Sequence, residues 1–218
     1  MIKLSKRLLL IASFVSDNSS LIDVGCDHAY LPIYLCQTLK NIKVTASDIN
    51  PNPIKIAKEN IKKYHLENKI KVIKKDGIND LDKDIDTVII SGMGGILIGD
   101  IINNKDNLSN IKTLILAPNN EFSYVRKTLK KINFKIIKEK LITENKITYL
   151  VIKAILGKDK TDNFFGKLSN KDLESIYYFT KLLNTNTNIL KKLPKRYLIK
   201  RYKLIIMNKK IKKFLNNN

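Results

Sequence analysis

Four short segments in the first half of the chain run from apolar residues into an acid, a glycine or both. They are L-I-D-V-G-C-D-H-A-Y-L-P at 21–32, A-S-D-I-N at 46–50, I-K-V-I-K-K-D-G at 70–77 and I-I-S-G-M-G-G at 89–95. Short runs rich in Ile and Val signal strands buried on both faces. Between them apolar residues recur at helical spacing, as at Ile54, Ala57 and Ile61. The pattern predicts an amphipathic helix over 8–15, a strand over 19–25, a helix over 32–39, a strand over 44–49 and a helix over 51–64. A strand over 70–74, a polar loop over 76–83 and a strand over 87–91 follow. Beyond Gly92, Gly94 and Gly95 come a helix over 96–102, a strand over 113–116 closed by Pro118, and an amphipathic helix over 122–132. Segments 134–142 and 148–154 flank Glu144, Asn145 and Lys146 and read as a β-hairpin. This alternation specifies a doubly wound α/β sandwich, its sheet parallel except at the end that holds the hairpin.

Past residue 156 the pattern changes. Leu173, Ile176, Phe179 and Leu183 are spaced for a helix, 184–188 reads as a connection, and Pro194 breaks or starts an element. In a second helix, Tyr197, Leu198, Leu204, Ile205, Ile211, Phe214 and Leu215 alternate with cations. Two domains are expected, 1–156 and 157–218.

Charge sharpens that division. The net charge is +21, part of it a compositional excess of Lys that accompanies abundant Asn and Ile; the only arginines are Arg7, Arg126, Arg196 and Arg201. Residues 1–156 hold 25 Lys/Arg against 16 Asp/Glu, whereas 157–218 hold 16 against 4, with no acid after Glu174. General Lys enrichment does not empty one region of acids. Such a tail suits a sequence-independent hold on phosphates, a solvated basic helix and a membrane-surface contact being the alternatives. Cys26 and Cys36 have no zinc or disulfide spacing, so two reduced thiols in a cytoplasmic protein without a metal are expected. Lys3, Lys6 and Arg7 precede a run too short for a signal sequence, and no stretch reaches bilayer-spanning length.

Candidate chemistry sits at the strand tips. A dinucleotide site would place G-x-G-x-x-G after the first strand, but Gly25 is followed by Cys26, Asp27, His28 and Ala29. The missing glycines argue against a pyrophosphate there and for S-adenosylmethionine, which has a ribose and an amino acid but no phosphate. Asp48, at the tip of the second strand, is placed to accept both ribose hydroxyls. Asp76 can take the adenine amino group, with Gly77 or Ile78 offering a backbone donor. At Asp23 and Gly25 the backbone can approach the methionine portion. Any one of these acids could instead cap a helix; three at successive tips favour a cofactor.

With these residues in place, the chain resembles the TrmK family, bacterial tRNA adenine N1-methyltransferases acting at position 22. The resemblance is carried by Arg7-Leu8, D-V-G-C-D-H-A-Y-L-P at 23–32, S-G-M-G-G at 91–95, A-P-N at 117–119 and the basic C-terminal helices. Cys26 stands where many relatives have Ser, and A-P-N where L-Q-P-N is usual. The resemblance implies a Rossmann-like methyltransferase domain, a coiled-coil-like helical domain that helps hold tRNA, and Asp27 as the catalytic residue. Asp27 also qualifies on chemistry: adenine N1 needs no deprotonation, and a carboxylate near the exocyclic amine would hold the base and offset the charge arriving with the methyl. Cofactor contacts are expected from Asp23, Gly25, Cys26, His28, Asp48, Ile49, Asp76, Gly77, Ser91, Gly92 and Met93. Substrate contacts are expected from Arg7, Tyr30, Gly94, Gly95 and Asn119, and from Lys195, Arg196, Lys200, Arg201, Lys209 and Lys210 in the tail. His28 could serve cofacter, base or its own loop; Asn119 could serve the base edge or simply end a strand. The expected partner is tRNA, the expected state a monomer. A small-molecule methyltransferase and a non-catalytic RNA-binding protein on the same fold are the rival readings.

Overall fold

The computed structural model describes residues 1–103 and 108–216. Its elements are α1 (Lys6–Ala12), β1 (Ser20–Val24), α2 (Tyr30–Thr38), β2 (Lys43–Asp48), α3 (Pro51–Lys63), β3 (Ile70–Lys74), β4 (Thr87–Ser91) and α4 (Gly95–Ile102). Then come β5 (Thr113–Ala117), α5 (Phe122–Lys131), β6 (Phe134–Glu144), β7 (Ile147–Leu156), α6 (Leu173–Lys192) and α7 (Leu198–Asn216). The chain divides into two compact units, Met1–Lys167 and Leu168–Asn218. The last two residues of the expected helical region, 217–218, lie outside the described residues.

The first unit is built on a seven-stranded sheet in the order β3-β2-β1-β4-β5-β7-β6. Strands β1 to β5 are parallel, and β7 enters antiparallel to both β5 and β6. On one face Leu21, Val44, Ala46, Ile89, Ile115 and Val151 join Ile11, Phe14, Leu31, Leu35 and Ile61 in one buried cluster. Because strand side chains alternate, Ile22, Val24, Val88, Ile90, Leu114 and Leu116 face the other way. Asp23 pairs in register with Ala46, two residues before Asp48, so both acids lie on the α1–α3 face at the carboxyl edge. The chain reverses direction across the sheet between β1 and β4, where open α/β sheets bind ligands.

The hairpin strands are longer than the pattern implied. Glu144 pairs with Ile147, leaving Asn145 and Lys146 as a two-residue turn with φ of 50° and 66°. Both positions are left-handed, which matches the twist of the flanking strands.

The segment 157–167, expected with the tail, belongs to the first unit for a reason the apolar pattern does not carry. Arg126 Nε donates to Glu139 Oε1 at 2.8 Å, with both side chains out of solvent. Arg126 Nη1 also donates to the carbonyls of Asn163 and Phe164, and Glu139 Oε2 accepts from the Lys167 amide. Burial pushes the Glu139 carboxyl above its ordinary range, while Arg126 pulls it back. Removing the cation strands a buried carboxylate and two strap carbonyls. Arg126→Ala is expected to cost on the order of 3–5 kcal/mol in urea denaturation.

In the second unit the structure corrects the expected connection at 184–188. Helix α6 runs unbroken through it, and the break falls at Leu193 and Pro194. The Thr185 and Thr187 hydroxyls donate to the carbonyls one turn back, at Lys181 and Leu183. Asn186 is buried and donates its amide to Asn208 Oδ1 on α7 at 3.0 Å. Polar side chains that normally favour turns are thus satisfied inside a helical hairpin. Asp172 caps α6 by accepting from the Ser175 amide and hydroxyl, and Phe179 meets Phe214 at 4.8 Å between centroids.

Candidate active site

A cleft of about 690 Å³ opens at the carboxyl edge of the sheet, lined by residues from the ends of β1, β2, β3 and β4, together with Arg7 of α1. Its first wall is the turn after β1. Both the Gly25 and Cys26 amides donate to the Ser47 carbonyl at 2.9 Å, hanging this turn from β2. Gly25 has φ of 73°, so the tight turn calls for glycine, while a Cβ there would only displace the flexible end of Met93. Asp27 and Ala29 are also left-handed, at φ 49° and 57°. This backbone lifts the Asp27 carboxylate into solvent, with 68% of its side chain exposed.

Asp48 is the hinge between this turn and the second wall. Its Oδ1 accepts from the Asn50 amide at 2.9 Å and its Oδ2 from the Asp27 amide at 3.4 Å. Each oxygen thus has capacity for a further hydrogen bond, and Asp48 lines the cleft. His28 lies with Nε2 3.6 Å from Asp27 Oδ2 and its ring stacked on Tyr30 at 5.4 Å, and Asn60 of α3 donates to the His28 carbonyl. His28 Nδ1 is buried without a hydrogen-bond partner.

Asp23 is the most perturbed carboxyl group of the cleft. Its pKa is raised from 3.8 to about 7, chiefly by burial and further by the Asp48 charge, against the pull of Arg7. Its Oδ1 and Arg7 Nη1 are both buried without partners. Two orphaned groups of opposite charge at one end of a cleft fit a zwitterion, and a free amino acid end supplies one. Burial pushes the Cys26 thiol well up, so it is no nucleophile.

Asp76 and Gly77, beyond β3, Ser91 at the end of β4, and Gly92 and Met93 beyond it line the cleft with Ile49 and Tyr30. Gly94, Gly95 and Asn119 do not line it. The Asn119 amide nitrogen donates to the Gly92 carbonyl at 2.9 Å, and its backbone amide to the Met93 carbonyl. Asn120 Oδ1 accepts from the Gly95 amide, and a Cβ on Gly95 would collide with the Asn120 carbonyl. These contacts hold the shape of the S-G-M-G-G turn. The tail cations lie in the second unit, where Arg201 Nη1 donates to the Leu190 and Leu193 carbonyls, closing the end of α6.

Sequence reasoning missed Asn50, Pro53, Lys75, Leu97 and Ile101, all of which line the cleft. The first two adjoin Asp48 and could have been found by adjacency. Leu97 and Ile101 had a subtler signal: α4 is G-I-L-I-G-D-I-I, apolar nearly all round although it covers one face of a sheet. An outer helix with a second apolar side has something else to cover.

The family model described as "Methyltransferase domain" matches residues 4–152. The fold, the cleft and this match define a Rossmann-like methyltransferase domain. The chain is 35% identical over 158 residues to the tRNA (adenine(22)-N(1))-methyltransferase of Bacillus subtilis, an alignment spanning 72% of this chain and 66% of the relative, just under two thirds of its length. The structure of M. capricolum TrmK with S-adenosyl-homocysteine superposes with a TM-score of 0.88 at 29% identity, covering 98% of each chain. The B. subtilis M1A22 tRNA methyltransferase TrmK superposes at 0.87 with 27% identity, over 99% of this chain and all of that one. This chain belongs to the TrmK family.

Proposed function

We propose that this protein transfers the methyl group of S-adenosylmethionine to N1 of adenine at position 22 of tRNA. The observation that carries the reading is the convergence of Asp23, Asp27 and Asp48 on one cleft, each in a different environment. Asp48, oriented by two backbone amides, accepts the ribose hydroxyls. Asp23 and Arg7 take the ammonium and carboxylate of the methionine end, a role for Arg7 at the cofactor rather than the base. Asp76 accepts the adenine amine, and Leu97 and Ile101 cover the flat ring. Bound S-adenosylmethionine supplies an electrophilic sulfonium methyl. Asp27, exposed beside it, accepts from the exocyclic amine of the target base and offsets the positive charge that develops on the ring. Met93 offers the base a soft apolar face. The cleft is complete within one chain, which supports a monomer acting where tRNA is found, in the cytoplasm.

The Watson–Crick edge of the target must be unpaired, at a cost on the order of a few kcal/mol that phosphate contacts elsewhere offset. Incubation with methyl-labelled S-adenosylmethionine and unmodified tRNA, followed by nuclease digestion, tests the reading. Label in N1-methyladenosine at position 22 is expected. Label in small molecules alone, or none in RNA despite cofactor binding, overturns it.

A pH dependence follows from Asp23. A cation at this carboxyl lowers its pKa, so binding favours the ionised form. Affinity for S-adenosylmethionine is expected to rise about tenfold from pH 6 to 8 and then level off, as about one pKa unit either side of 7 dictates. Isothermal calorimetry checks it, and Asp23→Asn should remove the slope. The sign for stability is opposite. With the folded value raised, the contribution is fully present below 3.8 and is lost as pH rises through about 7.

A further inference from the structure

At the turn between α6 and α7 a shallow recess of about 570 Å³ is lined by Arg196, Tyr197, Leu198, Ile199, Lys200 and Lys203. Leu198 and Ile199 are 73% and 75% exposed, and Tyr197 is 47% exposed. The helical hairpin does not need them for its own packing, which runs through Phe179, Asn186, Ile211 and Phe214. The turn is nevertheless rigid. Arg201 Nη1 ties the Leu190 and Leu193 carbonyls, the Tyr197 amide donates to the Pro194 carbonyl, and the Arg201 amide donates to the Tyr197 carbonyl. Arg196 lies with Cζ 5.3 Å from the centre of the Tyr197 ring, extending the aromatic surface with a cation.

The chemistry of this recess selects its occupant. Arg196, Lys200 and Lys203 line it, Lys191, Lys192 and Lys195 precede it in the chain, and no acid follows Glu174. A second copy of this surface would bring like charges together, so the partner is anionic. It must also present a flat apolar face to the tyrosine. A polyanion with flat faces along its backbone is a nucleic acid whose base is free to stack. We propose that the α6–α7 turn is a stacking platform for an unpaired base of the tRNA, held on Tyr197 and Arg196 and walled by Leu198 and Ile199. This rests on tRNA being the substrate and adds to it: the tail reads an exposed base as well as a line of phosphates. Aromatic display on a fixed turn lowers the ordering cost of such a contact.

Filter binding of the full-length protein to unmodified tRNA, across a salt series, tests the platform independently of methyl transfer. Tyr197→Ala is expected to weaken binding by roughly 5- to 100-fold, the range of one lost base stack. Tyr197→Phe, which keeps the ring, should restore it. The dependence of log Kd on log salt should keep its slope in Tyr197→Ala but flatten in Lys209→Ala/Lys210→Ala, where only phosphate contacts are removed. In methylation assays the Tyr197→Ala loss should fall on KM for tRNA rather than kcat. Unchanged tRNA affinity in Tyr197→Ala, with the wild type binding and methylating tRNA, overturns the platform alone. Binding that depends on Tyr197 without any methylation keeps the platform and overturns the enzymatic reading. Equal loss in the Phe variant replaces stacking with a hydroxyl contact. Tyr197-dependent pelleting with phosphatidylserine vesicles, or a Tyr197-dependent dimer in sedimentation, with tRNA affinity unchanged, assigns the surface to a membrane or to a second copy and overturns the proposal.

Discussion

Asp27→Asn is expected to leave S-adenosylmethionine affinity within about twofold while lowering the single-turnover rate of methyl transfer by on the order of 10²–10³-fold, the usual effect of removing one preorganised charge from a transition state. Asn is the informative replacement because the backbone here is left-handed, at φ 49°, which Asn adopts at lower cost than Ala. The side chain is largely exposed and makes no contact that the fold requires, so stability should hold. Calorimetry for binding and rapid-quench methyl transfer separate the two quantities. Loss of affinity equal to the loss of rate would move Asp27 into the cofactor site.

Asp48→Asn should do the reverse, weakening S-adenosylmethionine by on the order of 10²-fold, since two hydrogen bonds to a charged acceptor are each worth about 1.5–3 kcal/mol. The geometry adds a second effect. Asp48 Oδ2 accepts the Asp27 amide, and the Ser47 carbonyl beside it holds the Gly25 and Cys26 amides. Loosening Asp48 therefore also loosens the turn that presents Asp27, and turnover at saturating cofactor should fall too. The double variant is expected to lose less than the two single losses combined. Additive losses would show that the turn holds without Asp48.

Most of the sheet could be read from the sequence because its strands are short, apolar and punctuated. β3 and β4 fall where the pattern placed them. The acids at the tips could be located for the same reason, and three at successive strand ends say more than any one of them, which could equally cap a helix. What escaped the pattern was set by partners distant in sequence. The strap 157–167 is held by Arg126 and Glu139, and nothing local marks it. Continuity of α6 through N-T-N-T-N depends on Asn208, 22 residues beyond Asn186. Gly94, Gly95 and Asn119 hold contacts within their own turn that the sequence does not announce, because a glycine that admits a ligand and one that admits a neighbouring backbone look the same in a sequence.

The four arginines show what a Lys-rich chain keeps a guanidinium for. Arg126 forks between a carboxylate and two carbonyls, Arg201 spans two carbonyls, Arg196 lies over a ring, and Arg7 enters the cleft toward Asp23. Each position uses a planar, multidentate cation that an ammonium cannot imitate.

The amide pair between Asn186 and Asn208 has a metric consequence. Two leucines would bury more apolar surface, but they would hold the hairpin equally well one turn up or down, and one turn is about 5.4 Å. That slip approaches the spacing between successive phosphates on a strand. By admitting a single alignment of α6 with α7, the pair fixes the spacing of the lysines on one helix relative to those on the other.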